Sequence, residues 1–287
     1  MENYPRSPPT ASGDYSGAVH LRLILWILLP SLCAASLQPA APSTSSKIWV
    51  GRYAEFEDFL RTAEIVESKT IAIGVTAPQH VFFKPGGLAA GGALKAIEPG
   101  ILGGYWDSYK SEIAAYKLDR LLELDMVPPT VEVRVGGRRG RPASLQLWVE
   151  HAIMLKDVQE RKLIAPDGAK WDRQADQMYL FDDLIANIDE NPGNLLFDPE
   201  WNFIKIDHSR AFTPTLKQPF EIGKMLVRID RPLFDRVKRL DRAAVKREIG
   251  DLLETGALDA LFRRRDEIVK DFERLASQKG AANVFVP

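Results

Sequence analysis

The segment 182–212, DDLIANIDENPGNLLFDPEWNFIKIDHSRAF, constrains this chain more than any other. Asp189 opens a polar loop that closes on Asn194, with Pro192 and Gly193 punctuating it. Two apolar runs follow, Leu195-Leu196-Phe197 and Phe203-Ile204-Lys205-Ile206, on either side of the turn Asp198-Pro199-Glu200-Trp201-Asn202. They read as a hairpin, and Asp207 stands at its exit. Magnesium is a hard cation that takes oxygen ligands, usually one or two from protein and the rest from phosphate and water. Asp207 and the amide oxygen of Asn194 suit that demand. Asp189 is then left for a different task, since a carboxylate within reach of a hydroxyl orients it and accepts its proton. Asp, Asn, Pro and Gly also populate loops for purely local hydrogen-bonding reasons, so the loop gains meaning only in combination with Asp207 at the hairpin exit.

Composition narrows the alternatives. The chain has 287 residues, enough for one large or two small cores, and 38 basic residues against 39 acidic ones. That balance offers no general attraction for polyanions, so no nucleic-acid partner is expected. Cys33 is the single cysteine, which excludes an intramolecular disulfide and a thiolate cluster. His20, His80, His151 and His208 are the only imidazoles, and none has metal-ligand spacing.

Residues 1–46 differ from the remainder. Arg22 precedes the apolar run Leu23-Ile24-Leu25-Trp26-Ile27-Leu28-Leu29, and Pro30, Ala34, Ala35 and a Ser/Thr/Pro tract follow it. The run is shorter than the roughly 20 apolar residues a membrane span needs. It reads as a secretory signal removed after Ala34 or Ala35, hence an exported protein, periplasmic or extracellular. The alternative is an anchor formed by residues 21–35, which would be the chain's only membrane contact.

The rest divides into two lobes, 47–150 and 151–287. In the first, apolar spacing predicts helices over 54–66 and 108–124, with Lys84-Pro85-Gly86-Gly87 as a turn. Strands are expected at 71–75, 79–83, 93–97, 130–135 and 144–149. The second lobe is mostly helical, with helices over 175–188, 231–240, 243–253 and 257–275. The Arg263-Arg264-Arg265 run reads as a solvated helix face. The fold class is α+β.

Taken together, Asp189, Asn194, Asp207 and the elements before them resemble the protein-kinase-like superfamily, in the atypical branch that includes secretory Fam20, HipA-like and phosphatidylinositol kinases. The resemblance covers most of residues 70–212. It implies a two-lobed fold with a small antiparallel β N-lobe, one long helix in that lobe and a mostly helical C-lobe. It further implies that Lys95, in Ala93-Leu94-Lys95-Ala96-Ile97, grips nucleotide phosphates and that Glu112 pairs with it from the long helix. Lys84 competes for the lysine role but lies in a turn. The strand with Gln146, Trp148, Val149 and Glu150 falls where the hinge lies, so its backbone amides would meet adenine. Asp207-His208-Ser209-Arg210-Ala211-Phe212 matches the metal loop, which Arg210 and His208 would order. Two departures stand out. Glu190 replaces the arginine common after the catalytic Asp and adds negative charge near a phosphate site unless it points outward. No G-x-G-x-x-G covers the phosphates, only Gly74-Val75-Thr76, so amides near Gly74 and Thr76 would act as an anion nest.

The implied activity is transfer of the γ-phosphoryl group of ATP, with Mg2+ or Mn2+, to an unidentified hydroxyl acceptor on a protein, sugar or lipid. AMP transfer on the same fold and a nucleotide-binding pseudokinase acting as an interaction module are the alternatives.

Overall fold

Alternation along three neighbouring strands builds the first lobe. The computed structural model describes residues 45–71, 78–136 and 139–287. Helix α1 (Tyr53–Thr62) leads into β1 (Ile65–Thr70), β2 (Gln79–Phe83) and β3 (Gly91–Lys95). A short hairpin of β4 (Gly100–Leu102) and β5 (Tyr105–Asp107) precedes helix α2 (Tyr109–Leu121), and β6 (Thr130–Val135) and β7 (Arg141–Leu147) complete the lobe. The antiparallel sheet runs β1-β2-β3-β7-β6. Val81, Phe83, Leu94 and Leu145 occupy one face and are buried under Trp49, Phe56 and Leu60, as the two-residue period of a half-buried strand requires. Gly92 lets this face close, because a Cβ there would stand 2.7 Å from Leu145 Cδ1. The register Ala93↔Gln146, Lys95↔Ser144 and Glu132↔Ser144 puts Lys95, Gln146 and Glu132 on the other face. There α2 reaches the sheet through Tyr109 Oη, which donates to Glu132 Oε2 at 3.0 Å.

The second lobe begins with β8 (Ile153–Met154), α3 (Leu155–Glu160) and α4 (Gly168–Ile185), then β9 (Leu195–Phe197) and β10 (Phe203–Lys205). β11 (Ile229–Asp230), α5 (Arg231–Lys238), α6 (Arg242–Ile249), α7 (Ala257–Lys279), α8 (Ala281–Val284) and β12 (Phe285–Val286) follow. Its core gathers Met178, Phe181 and Leu184 of α4 with Phe234 of α5 and Ile268 and Phe272 of α7. Trp171 stacks on Phe197 at 4.8 Å between ring centroids and meets Phe203 edge-on at 4.9 Å, which seats α4 on the β9–β10 hairpin. This is a two-lobed α+β fold, an antiparallel five-stranded sheet with helices in the first lobe and a mostly helical second lobe.

Several boundaries differ from the sequence reading. The first helix stops at Thr62, and Val66 lies in β1, because Ile65 already pairs with Phe83 in the sheet. Of the strand expected at 71–75, residue 71 lies beyond the end of β1 and 72–75 lie outside the described residues. The third and last strands begin earlier than expected, at Gly91 and Arg141. Helix α4 starts at Gly168, where Asp167 caps the Lys170 N–H at 2.9 Å, and Trp171 is the only large apolar residue of its first two turns. It ends at Ile185, because Ala186 turns left-handed at φ 51°. The β4–β5 hairpin was not expected, its strands being three residues each. Among the described residues no helix is long and apolar enough to cross a membrane. The proposed signal run lies outside the described residues.

Candidate active site

Lys95 stands at the end of β3 on the sheet face opposite the apolar core. Its Nζ donates to Glu112 Oε1 at 2.5 Å and to Asp207 Oδ1 at 2.7 Å. Glu112 is delivered by α2, whose N-cap Ser108 accepts from the Lys110 N–H at 3.1 Å. The same helix start is stitched to the segment after β10, since the Ser108 N–H donates to the Ser209 carbonyl at 2.9 Å and Ser111 Oγ to the Ala211 carbonyl at 3.2 Å. The second oxygen of Glu112 accepts the His208 N–H at 3.0 Å. Burial alone would pull the Lys95 ammonium down, but the two carboxylates outweigh it and raise it. Burial pushes the Glu112 carboxyl up against the opposing pull of Lys95. Burial also acts upward on Asp207, yet Lys95 holds that carboxyl below its usual range. Lys84, by contrast, sits at the surface, paired with Glu64 at 3.0 Å.

The loop after α4 carries the other expected residues. Asn194 Nδ2 donates to the Asp189 carbonyl at 3.2 Å, Asn191 Nδ2 donates to it at 3.1 Å, and the Gly193 N–H closes on Asn191 Oδ1 at 2.9 Å. The hairpin behind the loop is turned by Asp198, whose Oδ1 accepts the N–H groups of Glu200 and Asn202 at 2.9 and 2.8 Å. The Ile206 N–H donates to the Asn194 carbonyl at 3.0 Å, so Asn194 lies beside the residue before Asp207. Asp207 itself adopts φ 63°, a left-handed backbone that asparagine and aspartate tolerate best among non-glycine residues. The donor set fits a hard cation. Asp207 offers a carboxylate, and with its nitrogen engaged on Asp189, Asn194 presents its amide oxygen as the ligating atom. Among the described residues no group of three or more His, Cys, Asp or Glu could hold a metal, so phosphate oxygens would have to complete the shell.

Asp189 is about half exposed, and its Oδ2 accepts from Arg210 Nη1 at 3.1 Å. Partial burial pushes its carboxyl up, opposed by Arg210 and assisted by Asp207 and Asp107. Glu190 does not point outward, as its side chain is almost fully buried. It turns beneath the loop onto Lys205 Nζ, a fully buried ammonium that Asp182 also chelates with both oxygens at 2.7 Å. Asn187 Nδ2 donates to both carboxylates, at 3.0 Å to Asp182 and 3.2 Å to Glu190. A lysine in the apolar run Phe203-Ile204-Lys205-Ile206 was the available signal, because a buried ammonium demands carboxylates nearby.

Val149 and Glu150 follow β7 in the segment joining the lobes, Val149 half-buried against the first-lobe core and Glu150 exposed. The preceding Trp148 donates its N–H to the Gly91 carbonyl at 3.1 Å and stacks on His80 with 3.7 Å between centroids. The backbone amide of Trp148, expected to face adenine, is thus taken up by the sheet, and its stacking on His80 was not expected from sequence. Gly74 and Thr76 lie outside the described residues.

Arg264 corrects the reading of the arginine run. Arg263 is exposed and Arg265 intermediate, but Arg264 is buried, donating to the carbonyls of Leu184, Thr213 and Thr215 at 3.0, 3.2 and 2.5 Å. Nearby, Asp183 Oδ1 accepts the Phe220 N–H at 2.7 Å while Oδ2 is buried with no partner. Burial pushes this carboxyl up to about 8, against the Phe220 hydrogen bond. The folded chain therefore holds this proton more tightly than the unfolded chain. Its stabilising contribution is full below the ordinary value of 3.8 and lost as pH rises through about 8. Asp183→Asn is expected to flatten the fall in stability between pH 5 and pH 8 by more than about 1 kcal/mol. Urea midpoints across that range would show it, and a slope unchanged from wild type would contradict it.

The lobes, the cleft lysine and the loop and hairpin behind it define an atypical protein-kinase-like fold. Solved structures agree. Hydra Fam20 with sugar superposes with a TM-score of 0.62 at 15% identity, covering 82% of this chain and 92% of that one. The Golgi casein kinase with Mn/ADP bound gives 0.60 at 14%, covering 82% and 78%. The Helicobacter pylori proinflammatory kinase CtkA gives 0.51 at 11%, covering 77% and 98%. No protein-family model and no curated protein matches the sequence.

Proposed function

We propose that this chain is an ATP-dependent phosphotransferase whose two lobes, residues 47–150 and 151–287, close on a nucleotide. The observation that carries the reading is the bridge from Lys95 Nζ to both Glu112 and Asp207, at 2.5 and 2.7 Å, with Asp189 and Asn194 on the adjoining loop. Lys95, held charged by two carboxylates, is set to meet phosphate oxygens. Asp189 would accept the proton of the acceptor hydroxyl as its oxygen bonds to the γ-phosphorus and the bond to the bridging oxygen breaks, releasing ADP. A divalent cation held by Asp207 and Asn194 would neutralise charge on the phosphates. Val149 and Glu150 would offer backbone groups to the base, and Gly74 and Thr76 would cover the phosphates. The acceptor is a hydroxyl of a protein, sugar or lipid. The apolar run 23–29 and the likeness to a Golgi kinase support work after export.

The reading is tested by isothermal titration with ATP, with and without Mg2+ or Mn2+, beside Asp207→Ala. Metal-dependent binding that disappears in the variant is expected. Absence of binding under every metal would overturn the reading and leave a kinase-shaped interaction module.

A further inference from the structure

Asp189 is held by a cation that lies outside its own loop. The loop sequence Asp189-Glu190-Asn191-Pro192-Gly193-Asn194 contains neither lysine nor arginine. Arg210 comes in from the metal loop instead, its Nη1 donating to Asp189 Oδ2 at 3.1 Å. Its Nε edge faces Asp107, with both carboxylate oxygens at 3.3 Å. Asp107 is buried and is itself fixed by Ser209 Oγ, which donates to Oδ1 at 2.8 Å. The guanidinium lies 4.7 Å from the centroid of the Tyr105 ring, which fixes its plane from a further side. Asp107 directly precedes Ser108, the N-cap of the helix that delivers Glu112 to Lys95. One planar side chain therefore spans from the loop carboxylate to the start of that helix.

We propose that Arg210 is the positioning residue of Asp189, with Asp107 as its anchor. The inference rests on the phosphotransfer reading of Asp189. A guanidinium can satisfy two carboxylates from different edges in one plane, which a lysine ammonium cannot do with fixed geometry. Arg210 thus aims the Asp189 carboxylate and ties that aim to the seating of α2. Misplacing a reacting group by about 1 Å costs about 100-fold in rate, so such an aiming residue affects turnover far more than nucleotide affinity.

The test uses the full chain with Arg210→Gln, Arg210→Lys, Asp107→Asn and the Gln/Asn double variant. Mg2+-dependent ATP hydrolysis, with water as acceptor, is the first readout. Arg210→Gln is expected to lower kcat by about 10- to 100-fold with KM for ATP within about twofold. Asp107→Asn should lower kcat less, Arg210→Lys should recover part of the loss, and the double variant should be no worse than Arg210→Gln, since both changes break one bridge. An ATP KM that rises as much as kcat falls would make Arg210 a phosphate-binding group and overturn the proposal. So would losses that multiply in the double variant. Amide hydrogen exchange is the second readout and needs no turnover. Arg210→Gln should speed exchange across residues 187–194 while leaving α4 unchanged, and exchange identical to wild type would overturn the positioning role. If the wild-type chain neither binds nor hydrolyses ATP, the phosphotransfer reading fails on that result, and the exchange comparison still decides whether Arg210 holds the loop.

Discussion

Lys205→Met is expected to destabilise the chain by about 3–5 kcal/mol, the cost of leaving buried carboxylates without their cation. Lys205 is fully buried and closes on the buried carboxylates of Asp182 and Glu190, beneath the loop 189–194. Removing the ammonium leaves two acids in a space that cannot hydrate them. Burial already pushes Asp182 up to about 7, with Lys205 pulling the other way and Glu190 adding to the rise. Domains of this kind are stable by about 5–15 kcal/mol in total, so the substitution removes a large share. Urea denaturation measures it as a lower midpoint at unchanged slope. Neutralising the acids as well, in Lys205→Met with Asp182→Asn and Glu190→Gln, should recover most of the loss because no charge is then stranded. A single variant within about 1 kcal/mol of wild type would mean that the cluster is hydrated and does not anchor the loop.

The second large effect is on turnover. Asp189→Asn is expected to lower kcat by about 100- to 10,000-fold, the range for loss of a general base, while leaving ATP affinity near that of wild type. The amide keeps the size of the side chain and still meets solvent, but it cannot take a proton. Asp207→Ala acts on the other term, since it removes a ligand proposed for the metal and a partner of Lys95 at 2.7 Å. Calorimetry and steady-state rates on the same preparations separate the two. Equal loss of ATP binding in both variants would deny Asp189 a role distinct from that of Asp207.

What could be read from sequence tracks the range over which each residue finds its partner. Lys95 was legible as a strand residue because it alternates with Leu94 on a short apolar strand, whereas Glu112, on a helix whose exposed face also carries charge, was pointed to only by the resemblance. The structure brings both together with Asp207. Asp189 and Asn194 were legible because their loop is punctuated by Pro192 and Gly193 within a few residues. Glu190 was read as a liability, since its partner Lys205 lies across a hairpin and looks like one more strand residue. Arg264 was hidden inside a run of arginines whose outer members are not buried, and only the helix phase against α4 shows which one turns inward. Arg210 was expected to order the metal loop, but its second partner, Asp107, lies in a hairpin with strands too short to leave a periodic signal. His80 and Trp148 meet only through the sheet register, which brings β2 and β7 to the two sides of β3.

Phosphorus NMR of ATP incubated with the chain and Mg2+ tests the central claim most directly. Growth of ADP signals that requires Mg2+ and is absent in Asp207→Ala is the expected result. Formation of AMP with pyrophosphate, or ATP unchanged at any enzyme concentration, would contradict γ-phosphoryl transfer by this site.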